Sequence, residues 1–331
     1  MSAELKAQEI LNASKLYTVC VSFTILFAGV FGHVIDILVF TSSKSFRNKQ
    51  SAFYLTAESI VNCVHLLVSF TSRIAINGFD NDLTKTSIVW CKLRQLFATS
   101  CTLLSLTIVC FAAIDQYLST SYNPYLKQLS TLKLAHCLTY SATIVWILHS
   151  IPFMMLTEIR PTYGCSSSNK GLDRYITYVY YLIFTGFLPI VITSIFATLA
   201  YINVRRIVRS QIPIIRRRLD RQLTAMILVR VAFLVATTLL YVINRIYTMQ
   251  VQVNQDDYIQ KAIIQLVGAI AYSLFYLNYS GSFYLFLISS ERFRRQVKYL
   301  LVKKFWRTYC TARVRNNRIV PISHISSVEC D

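Results

Sequence analysis

Long apolar runs separated by short polar segments dominate this sequence. A helix needs about 20 mostly apolar residues to cross the roughly 30 Å hydrocarbon core of a bilayer. Seven segments reach this length, and we number them spans one to seven. They are residues 17–41, 52–72, 92–119, 133–156, 175–202, 223–249 and 260–288. The pattern predicts an all-α integral membrane protein. Its seven-transmembrane helix bundle, residues 17–288, lies between an N-terminal segment, 1–16, and a tail, 289–331.

Composition indicates a surface that faces lipid. Charged residues make up only 15% of the 331, against about 25% in a soluble domain. The net charge of +19 does not indicate a nucleic-acid partner, because the basic residues lie in short segments between apolar runs. The nine cysteines include no C-x-x-C pair, so we expect no zinc site, and nothing predicts a cofactor.

The basic residues predict how the chain crosses the membrane, because Lys and Arg are retained on the cytoplasmic side. Most of the 34 Lys and Arg residues fall in the first, third and fifth loops, their flanking turns and the tail. This assignment counts Arg230, near the inner end of span six, as cytoplasmic. We therefore expect a plasma-membrane protein with residues 1–16 outside and the tail inside. The glycosylation sequence at Asn12 agrees with this orientation.

Span three carries the first family signature. Cys91 stands at its outer end and the triplet Asp115-Gln116-Tyr117 at its inner end. In this arrangement the chain resembles the rhodopsin-like (class A) G-protein-coupled receptors. The resemblance implies a disulfide from Cys91 to Cys165 in the second outer loop. Trp146 in span four and Pro189 in span five match further landmarks of the family.

Span seven carries the more specific match. Asn278 is followed in register by Ser282, Phe286 and Phe293, where the family has Asn, then Asn-Pro-x-x-Tyr, then Phe-Arg. The Asn-Tyr-Ser opening at Asn278 is similar to that of invertebrate FMRFamide-type neuropeptide receptors. The resemblance implies a heterotrimeric G protein as partner. The positions it implies for activation and the G-protein interface are Asp115, Gln116, Tyr117, Phe233, Asn278, Ser282 and Phe286.

The chain also departs from the family at positions that matter for signalling. Gln116 replaces the arginine that locks the inactive state, and Ser282 and Phe286 replace family residues in span seven. Span six, aligned on Phe233, has Ala236-Thr237-Thr238-Leu239 where the family has Cys-Trp-x-Pro. These departures leave open whether coupling is retained, altered or absent.

Residues 290–306 resemble the amphipathic eighth helix of the family. Phe293, Val297, Leu301 and Phe305 recur every four residues among cationic side chains, which suits a helix on the anionic inner leaflet. Cys310, just beyond it, is a candidate for palmitoylation.

Ionisable side chains at membrane depth are costly, so each marks a candidate site. The first two spans contribute such groups at helical spacing, and Ser105 and Asn278 would complete a cluster facing the bundle interior. The residues in spans one and two are His33, Asp36, Glu58, Ser59 and Asn62. The family binds a sodium ion here through an aspartate where this chain has Ser59. We therefore favour a hydrogen-bonded network that packs the helices.

The resemblance narrows the ligand by exclusion and favours a peptide. Ala98 replaces the aspartate that pairs with biogenic amines, and Tyr276 replaces the lysine that binds retinal. The expected extracellular pocket comprises Gln95, Ala98, Thr99, Tyr241, Asn244, Tyr272 and Tyr276, although the tyrosines also suit packing or interfacial positions. Other readings stay open: a chemosensory or non-signalling orphan receptor, and a transporter, although no internal repeat is visible. No catalytic motif predicts an enzyme.

Overall fold

The computed structural model describes most of the chain. The described residues are 3–43, 46, 49–79, 82–160, 164–167, 169–209, 214–251 and 257–304. Seven helices are long and apolar enough to cross a membrane, which confirms the all-α seven-helix bundle. Spans one to seven are Ala3–Ser42, Gln50–Phe79, Ile88–Thr120, Leu132–Met155, Lys170–Arg206, Ile214–Gln250 and Tyr258–Ser280.

The helices form a ring in which span three is the most enclosed. Span three packs against spans two, four and five, and the ring continues through six and seven to span one and back to two. In the 18-residue apolar stretch of span three, 72% of the residues are buried inside the protein, whereas the figure for span four is 17%. Large apolar side chains such as Phe27, Phe31, Tyr140, Ile144 and Leu148 are exposed on the outside of the bundle, as expected of a surface in contact with lipid.

Shorter elements connect the spans. Wide helical turns interrupt span two at Leu66–Phe70 and span five at Ile176–Phe187, ahead of a regular stretch, Leu188–Arg209. Two strands, β1 (Thr157–Arg160) and β2 (Gly164–Ser167), form an antiparallel hairpin. The remaining helical segments are Leu83–Lys85, Pro124–Leu129, Ser282–Ser289, Glu291–Lys298 and Tyr299–Lys304.

A disulfide joins Cys91, in the first turn of span three, to Cys165 in β2. It ties the hairpin to the bundle at the end that we call the disulfide end. The opposite end, where Glu291–Lys298 packs, is the tail end. Span three therefore runs from the disulfide end to the tail end.

Span one begins earlier than its hydropathy indicates. The helix starts at Ala3 rather than near residue 17, because its first turns are rich in Glu, Lys, Ala and Leu, which favour helix but are too polar to register as a span. Asn12 lies within this helix and is exposed.

Span seven is also divided where one continuous segment was expected. The helix ends at Ser280, and a new one begins at Ser282. A Cβ at Gly281 would lie 2.9 Å from the carbonyl oxygen of Leu277 and 3.1 Å from Cε1 of Phe233. Only glycine therefore fits between span six and the end of span seven at this break.

The eighth helix packs its apolar face against the bundle rather than leaving it free. Phe293 and Val297 are buried in a cluster with Phe40. Leu300 completes this stripe, whereas the expected Leu301 is exposed. A strict four-residue repeat drifts about 40° per step around a helix with 3.6 residues per turn, so the third member moves off the buried face. Phe305 and Cys310 lie outside the described residues.

Gly29 allows spans one and seven to approach closely, since a Cβ there would lie 2.6 Å from Cβ of Ser280 and 2.7 Å from Cδ1 of Leu66. Gly29→Ala should therefore lower stability by about 1–3 kcal/mol through overpacking. Gly268, with nothing within 4 Å of its added Cβ, is the matched control. Gly268→Ala should raise stability by about 0.4–1 kcal/mol. Thermal unfolding of the purified variants measures both, and equal effects would contradict the close approach.

Candidate functional site

A buried ion pair lies in the middle of the bundle. Arg230 of span six donates from Nε and Nη2 to Oε1 of Glu58 in span two, at 2.8 and 2.6 Å. Arg230 is 1% exposed and Glu58 2%. Two opposite charges thus neutralise one another where neither has access to water, the condition under which a charge is tolerated at membrane depth.

Amide and hydroxyl groups extend the ion pair to two further spans. The remaining guanidinium nitrogen, Nη1 of Arg230, donates to Oδ1 of Asn278 at 2.6 Å. Asn62 donates to the Glu58 carboxylate at 3.4 Å and accepts from Ser105 at 2.6 Å. Spans two, three, six and seven therefore meet in one network of charge-assisted hydrogen bonds.

A second polar group joins spans one, two and seven. Oδ2 of Asp36 accepts from Ser59 at 3.5 Å and from Ser282 at 3.3 Å, across the break in span seven. The Nε2 atom of His33 lies 2.5 Å from the carbonyl oxygen of Tyr279. The polar positions of the first two spans do cluster in the interior.

Arg230 corrects our assignment of the basic residues. It is not a loop charge, because it lies about four turns from the start of span six at Ile214 and points into the bundle. The other residues of that basic group include Arg205 and Arg206, which are exposed. A guanidinium in contact with Glu58 and Asn278 also places a positive charge where the family holds its sodium ion, and like charge disfavours a cation there. Within the described part of the chain no cluster of metal-ligating side chains occurs.

The triplet at the tail end of span three makes polar contacts to three neighbours. Gln116 donates to the hydroxyl of Thr224 in span six at 2.6 Å and accepts from Ser51 in span two at 3.1 Å. Asp115 accepts from Ser130 at 2.6 Å and from Ser51 at 3.3 Å. Gln116 thus links spans three and six through a neutral hydrogen bond.

The remaining activation positions pack as apolar contacts. Tyr117 of the triplet lies against Phe196 of span five, with ring centroids 5.6 Å apart. Phe233 packs on Gly281 at the break in span seven. Phe286 is fully buried, with its centroid 6.1 Å from that of Phe40 and 5.9 Å from that of Phe293.

A cavity of about 120 Å³ opens at the disulfide end. Six of the seven expected pocket residues line it: Gln95, Ala98, Thr99, Tyr241, Tyr272 and Tyr276. Asn244 does not. It lies about 60° around span six from Tyr241 and nearly one turn closer to the disulfide end, and it lines a separate groove with Tyr247 and Gln260.

Sequence reasoning missed the charged members of this cavity. Arg73 of span two and Arg94 of span three line it. Arg245 of span six stands behind the wall, with its guanidinium 4.9 Å from the ring centroid of Tyr181 and donating to that hydroxyl at 3.3 Å. The count of basic residues assigns no role to these three arginines. The available signal was the position of Arg94 and Arg245 within apolar spans and of Arg73 directly after one, since charges there rarely face lipid.

Comparison with known proteins adds no assignment. The chain matches no protein-family model and no curated protein. The site must therefore be interpreted from its own geometry.

Removing one partner of the buried pair should be far more costly than removing one partner of an exposed pair. Glu58→Gln leaves Arg230 uncompensated, and we expect a loss of about 3–5 kcal/mol. Glu291 pairs with Arg295 on the surface of the eighth helix, so Glu291→Gln should cost no more than about 0.5 kcal/mol. Denaturant or thermal unfolding in detergent measures both.

A double variant tests whether the two charges act as a pair. Glu58→Gln combined with Arg230→Gln removes both charges and should be more stable than the sum of the two single losses predicts. Additive losses would show that the charges do not stabilise one another.

Proposed function

We propose that this chain is a rhodopsin-like G-protein-coupled receptor of the plasma membrane, with its disulfide end extracellular and a peptide as its ligand. One observation carries the proposal. The cavity at the disulfide end and the polar contacts at the tail end involve the same helices, and the Glu58–Arg230 network lies between them.

Span six is the element that connects the two ends. Its Tyr241 lines the cavity, its Arg230 holds Glu58 and its Thr224 accepts from Gln116. A ligand that contacts Tyr241 more favourably in a second packing of span six would shift the population toward that packing. The tail end of span six would then separate from Gln116 and open a cleft for the G protein.

The departures in span six and at Gln116 define what distinguishes this receptor from its proposed family. The chain lacks the tryptophan and proline of the family in span six, and it holds span six through a neutral hydrogen bond at the tail end. Its charged contact lies deeper, at Arg230. Opening must therefore stretch or break a buried ion pair, which favours a low resting activity.

Loss of the Gln116–Thr224 hydrogen bond should raise basal signalling. A hydrogen bond of this kind contributes about 1 kcal/mol, or roughly a fivefold change in the ratio of open to closed receptor. At equal surface expression, we expect Thr224→Val to raise basal cAMP or calcium signals by up to about fivefold. Thr143→Val is the control, since the Thr143 hydroxyl donates within span four, to the carbonyl of Thr139. Equal basal signals in the two variants would contradict this role for Thr224.

A ligand screen tests the proposal as a whole. Cells expressing the native chain are exposed to a neuropeptide library that includes amidated Arg-Phe peptides, with calcium and cAMP as readouts. A Gln116→Arg variant runs in parallel. A dose-dependent response of the native chain supports a coupled receptor, and a response of the Arg variant alone would locate the defect at the tail end.

Silence of both chains, with surface expression verified, would count against the peptide receptor. The orphan and chemosensory readings would then take its place. Substrate-dependent uptake into cells expressing the chain would instead favour a transporter.

A further inference from the structure

The cavity at the disulfide end has an unbalanced charge. Arg73 and Arg94 line it, Arg245 lies directly behind its wall, and no Asp or Glu is among the described residues that line it. Three positive charges thus converge on a space of about 120 Å³. Such a space is well below the roughly 300–1,000 Å³ of a pocket that encloses a whole ligand. It fits one terminal group.

Among the described residues, no carboxylate pairs with these arginines. Within the described residues the ion pairs are Glu58–Arg230 and Glu291–Arg295, and neither involves the cavity. The carboxylate that acts on Arg94 from a distance is that of Asp82. Asp82 forms no ion pair with Arg94, and it accepts instead from the amide and the hydroxyl of Thr84.

Aromatic rings hold two of these arginines, Arg73 and Arg245, in place. The guanidinium carbon of Arg73 lies 3.6 Å from the ring centroid of Tyr272, and that of Arg245 lies 4.9 Å from the centroid of Tyr181 and 5.7 Å from that of Tyr272. Cation–π contacts orient a guanidinium without neutralising it. The positive charge therefore remains available to a ligand.

Buried polar groups around the same cavity also lack protein partners. Neither ring nitrogen of His65 has a hydrogen-bond partner, nor does the Ser69 hydroxyl, and these residues are 1% and 4% exposed. The Nε atom of Arg73 is unpartnered as well. All three residues line the cavity. Buried polar groups are normally hydrogen-bonded, so their concentration here points to a polar occupant.

We infer that the end of the ligand that enters this cavity carries a carboxylate. Arginine presents a planar fork of donors that matches a carboxylate in two parallel hydrogen bonds. The tyrosines beside it suit an aromatic or apolar group next to that carboxylate. This inference rests on the proposed receptor function for its meaning, but the binding it describes needs no G protein.

The inference separates this chain from a receptor for amidated Arg-Phe peptides. Such a peptide has a neutral amide at its end and a positive charge beside it, so it would meet Arg73 and Arg94 with like charge. A ligand with a free carboxylate at its end would instead meet Arg73 and Arg94 with opposite charge. The charge of the cavity thus opposes the ligand class that the sequence resemblance suggests.

The test compares matched acid and amide probes on the purified full-length chain. Thermal unfolding is recorded with 3-phenylpropionate and its amide, and with acetyl-Phe-Phe as free acid and as amide. We expect the acids to raise the unfolding midpoint and the amides to leave it unchanged. Tighter binding of the dipeptide acid than of 3-phenylpropionate would support a peptide end as the source of the carboxylate. The reverse order would support a small carboxylic acid.

Variants assign the effect to the cavity. Arg73→Gln and Arg94→Gln should each weaken acid binding roughly tenfold or more, the loss expected for one charge-assisted contact. Arg174→Gln, an exposed arginine in the first turns of span five, is the matched control and should change binding less than twofold. Arg73→Lys keeps the positive charge but loses the planar pair of guanidinium donors. It serves as a milder substitution at the same position.

Three results would overturn the inference. The first is that the amides bind as tightly as the acids, and the second is that the acids bind equally to the native chain and to Arg73→Gln. The third is that neither acid nor amide shifts the unfolding midpoint at any probe concentration up to the solubility limit. Acid binding without any cellular response would leave the inference intact and count against the proposed signalling. A cellular response restricted to amidated cationic peptides would support the proposed signalling and count against the inferred carboxylate.

Discussion

The contact between Glu58 and Arg230 constrains the rest of the bundle. A charge in the middle of a hydrocarbon layer costs several kcal/mol unless a partner removes it, and here each charge is the other's partner. Because both side chains must meet, the depth and rotation of span two relative to span six are fixed together. Asn278 then fixes span seven to the same point, and Ser105, which donates to Asn62, fixes span three there. The apolar packing above and below follows from this alignment.

This arrangement concentrates polarity in layers along the bundle axis. The disulfide end has a small cavity with arginines, the middle has the neutralised ion pair, and the tail end has neutral hydrogen bonds around Gln116. Aromatic clusters separate the layers, including the contact of His65 with Tyr276 and Tyr279. A displacement of span six crosses all three layers, so a change at one end alters contacts at the other without a continuous path of charges between them.

Hydropathy predicted the spans well because the energetic difference between lipid and water is large and is summed over about 20 residues. The sequence pattern failed at three points of local detail. It missed the polar first turns of span one and the break at Gly281, and it placed Leu301 instead of Leu300 on the buried face of the eighth helix. The charge count failed at Arg230 for a related reason. A basic residue near a span end is usually cytoplasmic, and only the partner on span two, 172 residues away in sequence, shows that this one is interior.

The candidate site was predictable only in part. Six of the seven expected pocket positions line the cavity, in part because Gln95, Ala98 and Thr99, and likewise Tyr272 and Tyr276, share one helix face at i, i+3 and i+4 spacing. Arg73, Arg94 and Arg245 were not among the expected positions. Each is an arginine in a span that could face a loop, a headgroup or the interior, and the choice depends on the packing of Tyr272 and Tyr181, which no single-sequence pattern encodes.

The close approach of Gly29 to Ser280 also bears on how the protein is made. Span one leaves the ribosome well before span seven, so Gly29 can meet Leu66 of span two early in synthesis but gains its contact with Ser280 only when span seven follows. Until then this surface, with Gly32 one turn along and facing Phe283, is open to lipid or to an assembly factor. A chain that stops before span seven therefore leaves Gly29 and Gly32 without Ser280 and Phe283, the neighbours that cover them in the complete bundle.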